Sequence, residues 1–157
     1  MNPLAENANQ YQPPKITVLM PVYNVSKFLP KCLQTLMDQT FRDFRLIAVN
    51  DGSTDNCLEI LRDFEARYHN ITVIDQPNRG MSMARNAALA LADSKYICFV
   101  DSDDYIAENF IETLYDLLHE YHTDISAVHW KLVYADAPEV PAPLSSRNVT
   151  LFQGADA

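Results

Sequence analysis

The chain has 157 residues, 48% hydrophobic and 21% charged, which is a composition typical of one globular domain. Its net charge of −9, with no Lys/Arg-rich block, argues against nucleic acid as a partner, because phosphate backbones bind basic patches. No apolar run reaches the length of a transmembrane helix, and no signal-peptide pattern opens the chain. We therefore expect no transmembrane segment and a cytoplasmic location, including a peripheral position at the inner membrane face. Cys32, Cys57 and Cys98 are expected to be buried free thiols.

The first half of the chain alternates between strand and helix patterns. Residues 16–20 are an apolar run that predicts a strand, which Pro21 is expected to stop. Apolar residues from Phe28 to Met37 have helical spacing and predict a helix with one buried face. Residues 45–50 predict a second strand, and the apolar stripe from Leu58 to Tyr68 predicts a second helix.

The same alternation continues to about residue 130. Ser53 or Thr54 is expected to cap the second helix, since both residue types favour helix N-termini. Strand–helix alternation of this kind predicts a parallel sheet with helices on both faces and right-handed crossovers. The later elements are a strand at 71–74, a helix at 82–92, a buried strand at 96–100, a helix from about 107 and a strand at 125–130, which 132–134 extend or follow.

Three carboxylates directly follow the predicted strand at residues 96–100. Asp101, Asp103 and Asp104 would lie at its C-terminal end, where open α/β sheets bind their ligands. Adjacent negative charges repel each other unless a cation lies among them, and Mg²⁺ or Mn²⁺ takes carboxylate oxygens readily. The alternative is an acidic turn that caps the following helix.

Polar clusters also follow the three preceding strands, and together the four clusters suit a nucleoside diphosphate. Tyr23 could pack on a base, Asp51 could accept a base or ribose hydrogen bond, and Arg85 could neutralise phosphates. Each residue also has a structural interpretation. Tyr23 could cover the edge of the core, Asp51 could cap a helix, and Arg85 could pair with a carboxylate.

As a set, these segments resemble the family-2 glycosyltransferases of the GT-A fold. The resemblance implies an inverting transferase that moves a sugar from a nucleotide-sugar, most often a UDP-sugar, to a saccharide or lipid-linked acceptor, with Mn²⁺ or Mg²⁺. It implies an α/β, Rossmann-like and mostly parallel sheet. The segments are 21–24, 49–55, 78–80 with 84–86, and 101–104.

The resemblance also implies the residues of the site. Asp103 and Asp104 would bind the metal, and which of them is the principal ligand is left open. No catalytic base is assigned. The nucleotide-binding residues would be Pro21, Val22, Tyr23, Asn24, Asp51, Asn78, Gly80, Arg85, Asp101 and Ser102.

Three regions are expected along the chain. Residues 1–14 would be a flexible arm, and residues 15–134 the nucleotide-sugar-binding domain. Residues 135–157, rich in proline at first, would be a loop and the start of a truncated acceptor-side region. Members of the resembled family usually continue further and supply the catalytic base there, so we expect this chain to hold the donor-binding half.

Two other functions are compatible with parts of the pattern. In an aspartate-nucleophile phosphohydrolase, Asp101 would attack phosphorus and Asp103 would be the acid/base, but that class carries its pair on the first strand. A non-catalytic nucleotide-binding module would share the same fold. A glycine-rich phosphate loop is excluded, because the only glycines are Gly52, Gly80 and Gly154.

Overall fold

The structure, a computed structural model, describes residues 12–129, and residues as far as Ala127 belong to one compact unit. Strands and helices alternate throughout this part of the chain, as the apolar patterns predict. The bounds are β1 Ile16–Val22, α1 Leu29–Met37, β2 Phe44–Asp51, α2 Cys57–Arg67, β3 Ile71–Gln76, α3 Met81–Leu89, β4 Tyr96–Phe99 and α4 Phe110–Glu120.

The four strands form one parallel sheet in the order β3-β2-β1-β4. β1 lies at its centre, with Leu19 opposite Ile47 of β2 on one side and opposite Phe99 of β4 on the other. Consecutive parallel strands need a crossover helix, which is why each connection here contains one. The predicted α/β architecture with a parallel sheet is therefore confirmed.

Helices cover both faces of the sheet, because side chains along a strand point alternately to opposite faces. On one face, Val18 and Met20 of β1 join a core with Leu33 of α1, Leu61 of α2 and Ile111 of α4. On the other face, Leu19, Ile47 and Val49 pack against Ala84 and Ala88 of α3. The small alanines let α3 lie close to the sheet.

Pro21 does not stop β1, contrary to the prediction. The strand continues to Val22, which pairs with Asn50 of β2. The Leu19 carbonyl accepts a hydrogen bond from the Val100 amide on the β4 side of β1 (3.3 Å). Because backbone groups point to the same side at every second residue of a strand, the backbone nitrogen of Pro21 also faces β4. β4 has ended by then, so the amide hydrogen that proline lacks would have had no ladder partner there.

The predicted burial of the 96–100 segment is only half right. Cys98 and Val100 are buried, but Ile97 and Phe99 are 43% and 51% exposed. β4 has one strand neighbour among the described residues, and α3 contacts β1 and β2. The side chains of Ile97 and Phe99 therefore lie on the α3 face of the sheet but beyond the part of that face that α3 covers.

The predicted fifth strand is wrong where it can be checked. Residues 125–129 have no strand pairing, and Ile125 is 83% exposed, so an apolar run here does not find a sheet partner. Trp130, residues 132–134 and the region 135–157 lie outside the described residues, as does most of the N-terminal arm. Cys32, Cys57 and Cys98 are buried free thiols, as predicted. None of the described helices has the length and apolar character to cross a bilayer.

Candidate functional site

The parallel sheet brings four loops to one edge, because all strands point the same way. Three of these loops contact each other, and we call them the linked loops: residues 23–26, 51–55 and 76–80. The fourth is the acidic loop, residues 101–104, which follows β4. The linked loops and the acidic loop place different kinds of carboxylate at this edge.

Asp51, at the end of β2, holds the loop that follows β3. Its Oδ1 accepts hydrogen bonds from the Gln76 side chain (2.7 Å) and the Arg79 amide (2.9 Å), and its Oδ2 accepts from the Gly80 amide (2.8 Å). The residue is 3% exposed. Burial raises the pKa of Asp51, but these hydrogen bonds outweigh it and hold the pKa below its ordinary value. Asp51 is thus a stable anion that fixes residues 76–80, and it does not cap α2.

Asn24 joins the loop after β1 to the loop after β2. Its backbone amide donates to Ser53 Oγ (3.1 Å), and its Oδ1 accepts from the Thr54 amide (2.8 Å) and hydroxyl (3.3 Å). Asn24 has φ +52°, a conformation that asparagine tolerates better than most residues. The predicted capping role of Ser53 or Thr54 is wrong, since α2 begins at Cys57 after an Asn56 N-cap.

Asp55 adds a second connection between the same two loops. Its Oδ2 accepts the Ser26 amide (2.9 Å) and its Oδ1 accepts the Cys57 amide (3.1 Å). Burial raises the pKa of Asp55, but the hydrogen bonds from Cys57 and Ser26 lower it to about 2. Beside it, the Cys57 sulfur accepts the Val25 amide at 3.3 Å. Side-chain acceptors that follow β2 therefore hold the backbone amides of the turn after β1 in place.

Gly52 lets the second and third linked loops approach each other closely. It has φ +70°, and a Cβ added there would lie 2.6 Å from the Asn78 backbone nitrogen. Gly80 has φ +87° but open space around it, so only its backbone conformation favours glycine. Both glycines occupy positions where the linked loops turn, but only Gly52 is also a packing requirement.

The acidic loop contains one charge pair that joins it to α3. Arg85 Nη2 donates to Asp101 Oδ1 at 2.7 Å, with the two side chains 34% and 51% exposed. The guanidinium also lies 5.9 Å from the centre of the Phe99 ring. The alternative interpretation of Arg85, pairing with a carboxylate, is therefore realised in this structure. Its contact with phosphate stays a prediction.

Asp104, a second carboxylate of the acidic loop, is destabilised as an anion. Burial, then the charges of Asp103 and Asp101, raise the pKa of Asp104. The Cys32 thiol lies against the loop and donates weakly to the Asp101 carbonyl (3.6 Å). Burial and the charges of Asp104, Asp103 and Asp101 raise the pKa of Cys32 to about 12. A cation at this loop would offset the part of the Asp104 and Cys32 pKa shifts that comes from the neighbouring carboxylates.

The donor set of the acidic loop fits a hard divalent cation in one particular way. No group of three His, Cys, Asp or Glu side chains within residues 12–129 converges as a complete metal cage. Mg²⁺ is commonly held by one or two carboxylates together with substrate phosphates and water. Asp103 and Asp104 can supply such a partial set, so these residues fit a cation shared with a diphosphate.

The other predicted site residues differ in their access to a ligand. Tyr23 is 48% exposed, and Asn78 and Gly80 are exposed, so these three can meet a ligand directly. Val22 is 1% exposed and belongs to the core, and Ser102 is 5% exposed. Through their side chains, Val22 and Ser102 can support the site, and only their backbone groups are candidates for ligand contact.

Sequence reasoning missed the residues that connect the loops. Gln76, Asp55 and Cys57 each bond a neighbouring loop, although none lies in a position to which the patterns assigned a role. Asp55 belongs to the 49–55 segment that carries the family resemblance, which is the signal that could have found it. Gln76 and Cys57 resemble ordinary strand-end and helix residues, and only the fold shows their contacts.

The model of the family named Glycosyl transferase family 2 matches residues 17–151. The chain belongs to this family. The match includes all four strands and both groups of loops, so the predicted family and GT-A fold are confirmed.

Individual relatives extend the same result. Glycosyltransferase GlyA of Streptococcus pneumoniae is 46% identical over 112 residues, which are 71% of this chain and 16% of the relative. Poly(ribitol-phosphate) beta-glucosyltransferase of Bacillus spizizenii is 38% identical over 116 residues, 71% of this chain and 18% of the relative. The solved structure of S. aureus TarS 1-349 in complex with UDP has a TM-score of 0.65 and 33% identity, covering 70% of this chain and 33% of that one. The chain thus spans a third or less of the length of these relatives.

Proposed function

We propose that this chain binds a UDP-sugar together with Mn²⁺ or Mg²⁺, for inverting transfer of the sugar to an acceptor hydroxyl. The observation that carries the proposal is that one sheet edge holds both a buried, anchored carboxylate, Asp51, and an exposed group of three in the acidic loop. The first suits a nucleoside, and the second suits a cation with a diphosphate. TarS, at 33% identity, has been solved with UDP and with UDP-GlcNAc, which supports a uridine donor.

The linked loops would bind the nucleoside. Asp51 has about four lone-pair sites and uses three, so Oδ2 retains one that could accept a base N–H. Tyr23 offers an exposed ring on which a base could pack, and Asn78 and Gly80 lie on the loop that Asp51 holds in place. Pro21, Val22 and Asn24 would frame this pocket by fixing the turn after β1.

The acidic loop would bind the ribose and the diphosphate. Asp101 and Ser102 are assigned to the ribose side, and Asp103 and Asp104 to a cation. When bound, that cation supplies positive charge to the leaving diphosphate. Arg85 adds a guanidinium at the same place, and its pairing with Asp101 shows that it reaches the loop. Asp101 would therefore orient Arg85 as well as the ribose.

We propose that the catalytic base is not among the residues of this chain. Inverting transfer needs a base within hydrogen-bond reach of the acceptor hydroxyl, opposite the leaving group. The carboxylates at this edge are already assigned to the donor side. We therefore expect slow release of UDP from UDP-sugars with no dependence on acceptor. A coupled UDP-release assay with and without a saccharide acceptor tests this, and efficient acceptor-dependent release by this chain would contradict it.

Residues 15–134 are proposed as the nucleotide-sugar-binding domain, in the cytoplasm or peripheral to the inner membrane face. A saccharide or lipid-linked acceptor is proposed by analogy with a relative named for glucosyl transfer to poly(ribitol-phosphate). The competing phosphohydrolase would need Asp101 free to attack phosphorus, whereas here it is paired with Arg85 at 2.7 Å.

A thermal-shift experiment tests the central proposal. A ligand that binds only the folded state raises its stability by mass action. We expect UDP with Mn²⁺ to raise the melting temperature, and UDP in EDTA, or Mn²⁺ alone, to raise it much less. Other nucleoside diphosphates serve as controls for the base. Equal shifts with UDP in EDTA and in Mn²⁺ would refute a metal-dependent site.

A further inference from the structure

Gln39, just after α1, is a buried amide far from the acidic loop along the chain. It is fully buried, at 0% exposure. Its Nε2 donates to the carbonyls of Thr35 (3.0 Å) and Ala107 (2.6 Å), and its Oε1 accepts the Ile111 amide at 2.9 Å. A buried amide is costly unless it is hydrogen-bonded, so this side chain is satisfied only while the segment after the acidic loop stays in place.

Two further contacts strengthen this attachment. The Thr40 amide donates to the Glu108 carbonyl at 2.8 Å, and the Ile106 amide donates to Thr35 Oγ1 at 3.4 Å. Apart from the bond to the Thr35 carbonyl, each of these bonds joins the end of α1 to residues 106–111, which run from the acidic loop into the first turn of α4. We call residues 35, 39 and 40 with residues 106–111 the α1–α4 clamp.

The acidic loop is short and lies between two fixed points. On its N-terminal side, the Val100 amide bonds to the Leu19 carbonyl of β1 (3.3 Å). On its C-terminal side, Ala107 is held by Gln39 only three residues after Asp104. It carries three carboxylates within four residues, at Asp101, Asp103 and Asp104, so that like charges lie close together. The loop thus depends on its two ends to keep its carboxylates together.

We propose that Gln39 is a positioning residue: through Ala107 and Ile111 it sets the place at which the carboxylates of the acidic loop meet a cation and diphosphate. This inference rests on the proposed function, because the cation and the diphosphate are its ligands. Within residues 12–129, no hydrogen bond joins the clamp to the linked loops, so Gln39 should affect one half of the site and leave the other unchanged.

The substitution Gln39→Met tests this, because it keeps the length of the side chain and removes all three hydrogen bonds. Removal of a hydrogen-bond partner that orients a metal ligand typically lowers metal affinity 10–100-fold. We expect the affinity for UDP in Mn²⁺ to fall about 10-fold, while the affinity for uridine without metal stays unchanged. Calorimetric titration measures both. Gln34→Met is the matched control, since Gln34 is exposed and its side chain donates only to Asp38 among the described residues.

Each outcome has one meaning. If wild type shows no Mn²⁺-dependent UDP binding, the proposed function fails and Gln39 is not the reason. If wild type binds and Gln39→Met weakens uridine and UDP equally, or weakens neither, the positioning role is refuted. If Gln39→Met does not fold, Thr35→Val decides, because it keeps the Gln39 side chain and removes the acceptor of the Ile106 amide, together with the hydroxyl that donates to the Cys32 carbonyl within α1. A selective, smaller loss of Mn²⁺-dependent binding in Thr35→Val supports the proposal, and no selective loss overturns it.

Discussion

The linked loops and the acidic loop lie at the same sheet edge but treat their carboxylates in opposite ways. Asp51 is 3% exposed and accepts three hydrogen bonds, whereas the Asp101 side chain is 51% exposed and contacts one guanidinium. Against the effect of burial, hydrogen bonds lower the pKa of Asp51, while burial and neighbouring charges raise that of Asp104. Hydrogen bonds from the protein therefore stabilise the Asp51 anion of the linked loops, whereas burial and neighbouring carboxylates destabilise the Asp104 anion of the acidic loop.

Removing the central anion should produce the largest loss of stability. Asp51→Ala leaves three donors without their acceptor, and an unpaired buried donor costs about 1–3 kcal/mol. We expect the free energy of unfolding in urea to fall by about 3 kcal/mol, and uridine binding to weaken by about 1–3 kcal/mol. Asp75→Ala, which removes one exposed acceptor of Asn50, should cost only about 1 kcal/mol. Equal losses in the two variants would show that Asp51 anchors nothing.

The two glycines of the linked loops offer a matched pair. Gly52→Ala and Gly80→Ala both place a Cβ at positive φ, which costs about 1–3 kcal/mol of backbone strain. Only Gly52→Ala also forces the Asn78 backbone to move, because its Cβ would lie 2.6 Å away. We expect Gly52→Ala to lose more stability and to weaken uridine binding further. The reverse order in urea unfolding would mean that the loops do not need this close approach.

Acid should weaken the connection made by Asp55. Its pKa is lowered from 3.8 to about 2, so its carboxylate contributes stability that is complete above the ordinary value and is lost as pH falls through 2. Asp55→Asn should be less stable than wild type by about 1–2 kcal/mol near neutral pH, and this difference should shrink between pH 4 and pH 2. Urea unfolding across that range measures it, and a constant difference would exclude the charge as the cause.

The acidic loop should respond to substitution without loss of stability. Asp103→Asn alters an exposed loop side chain, so the free energy of unfolding should change by less than about 0.5 kcal/mol. The Mn²⁺-dependent part of UDP stabilisation should disappear. Glu108→Gln, an exposed acid just beyond the loop, should retain it. Full Mn²⁺ dependence in Asp103→Asn would assign the metal to other ligands.

The fold was accessible from sequence because burial imposes periodicity. The apolar runs of β1 to β3 are buried and the helical stripes face them, so strand–helix order was enough to predict a parallel sheet. The 96–100 run misled because hydrophobicity does not reveal which strand lies at the end of a sheet. At residues 125–129 the apolar pattern misled because a strand also needs a neighbouring strand, which sequence alone does not supply.

The site was only partly accessible for a related reason. Parallel topology brings strand ends together, so the convergence of Asp51, Arg85 and Asp101 on one edge could be expected. Which polar groups bond each other depends on distances of a few tenths of an ångström. Asn24 therefore reads as a ligand-contacting residue in sequence, and in the structure its amide oxygen is engaged by Thr54. Gln39 carries no signal at all before the fold brings Ala107 to it.

The placement of the cysteines makes local opening of the two regions separately observable. Cys57 lies between the linked loops and Cys32 beneath the acidic loop, and burial raises their pKa values to about 11 and 12. Alkylating reagents attack the thiolate, so labelling at either position requires local unfolding that exposes it. The labelling rate of Cys32 relative to Cys57 would thus report how often each half of the sheet edge opens, with buried Cys98 in β4 as an internal reference.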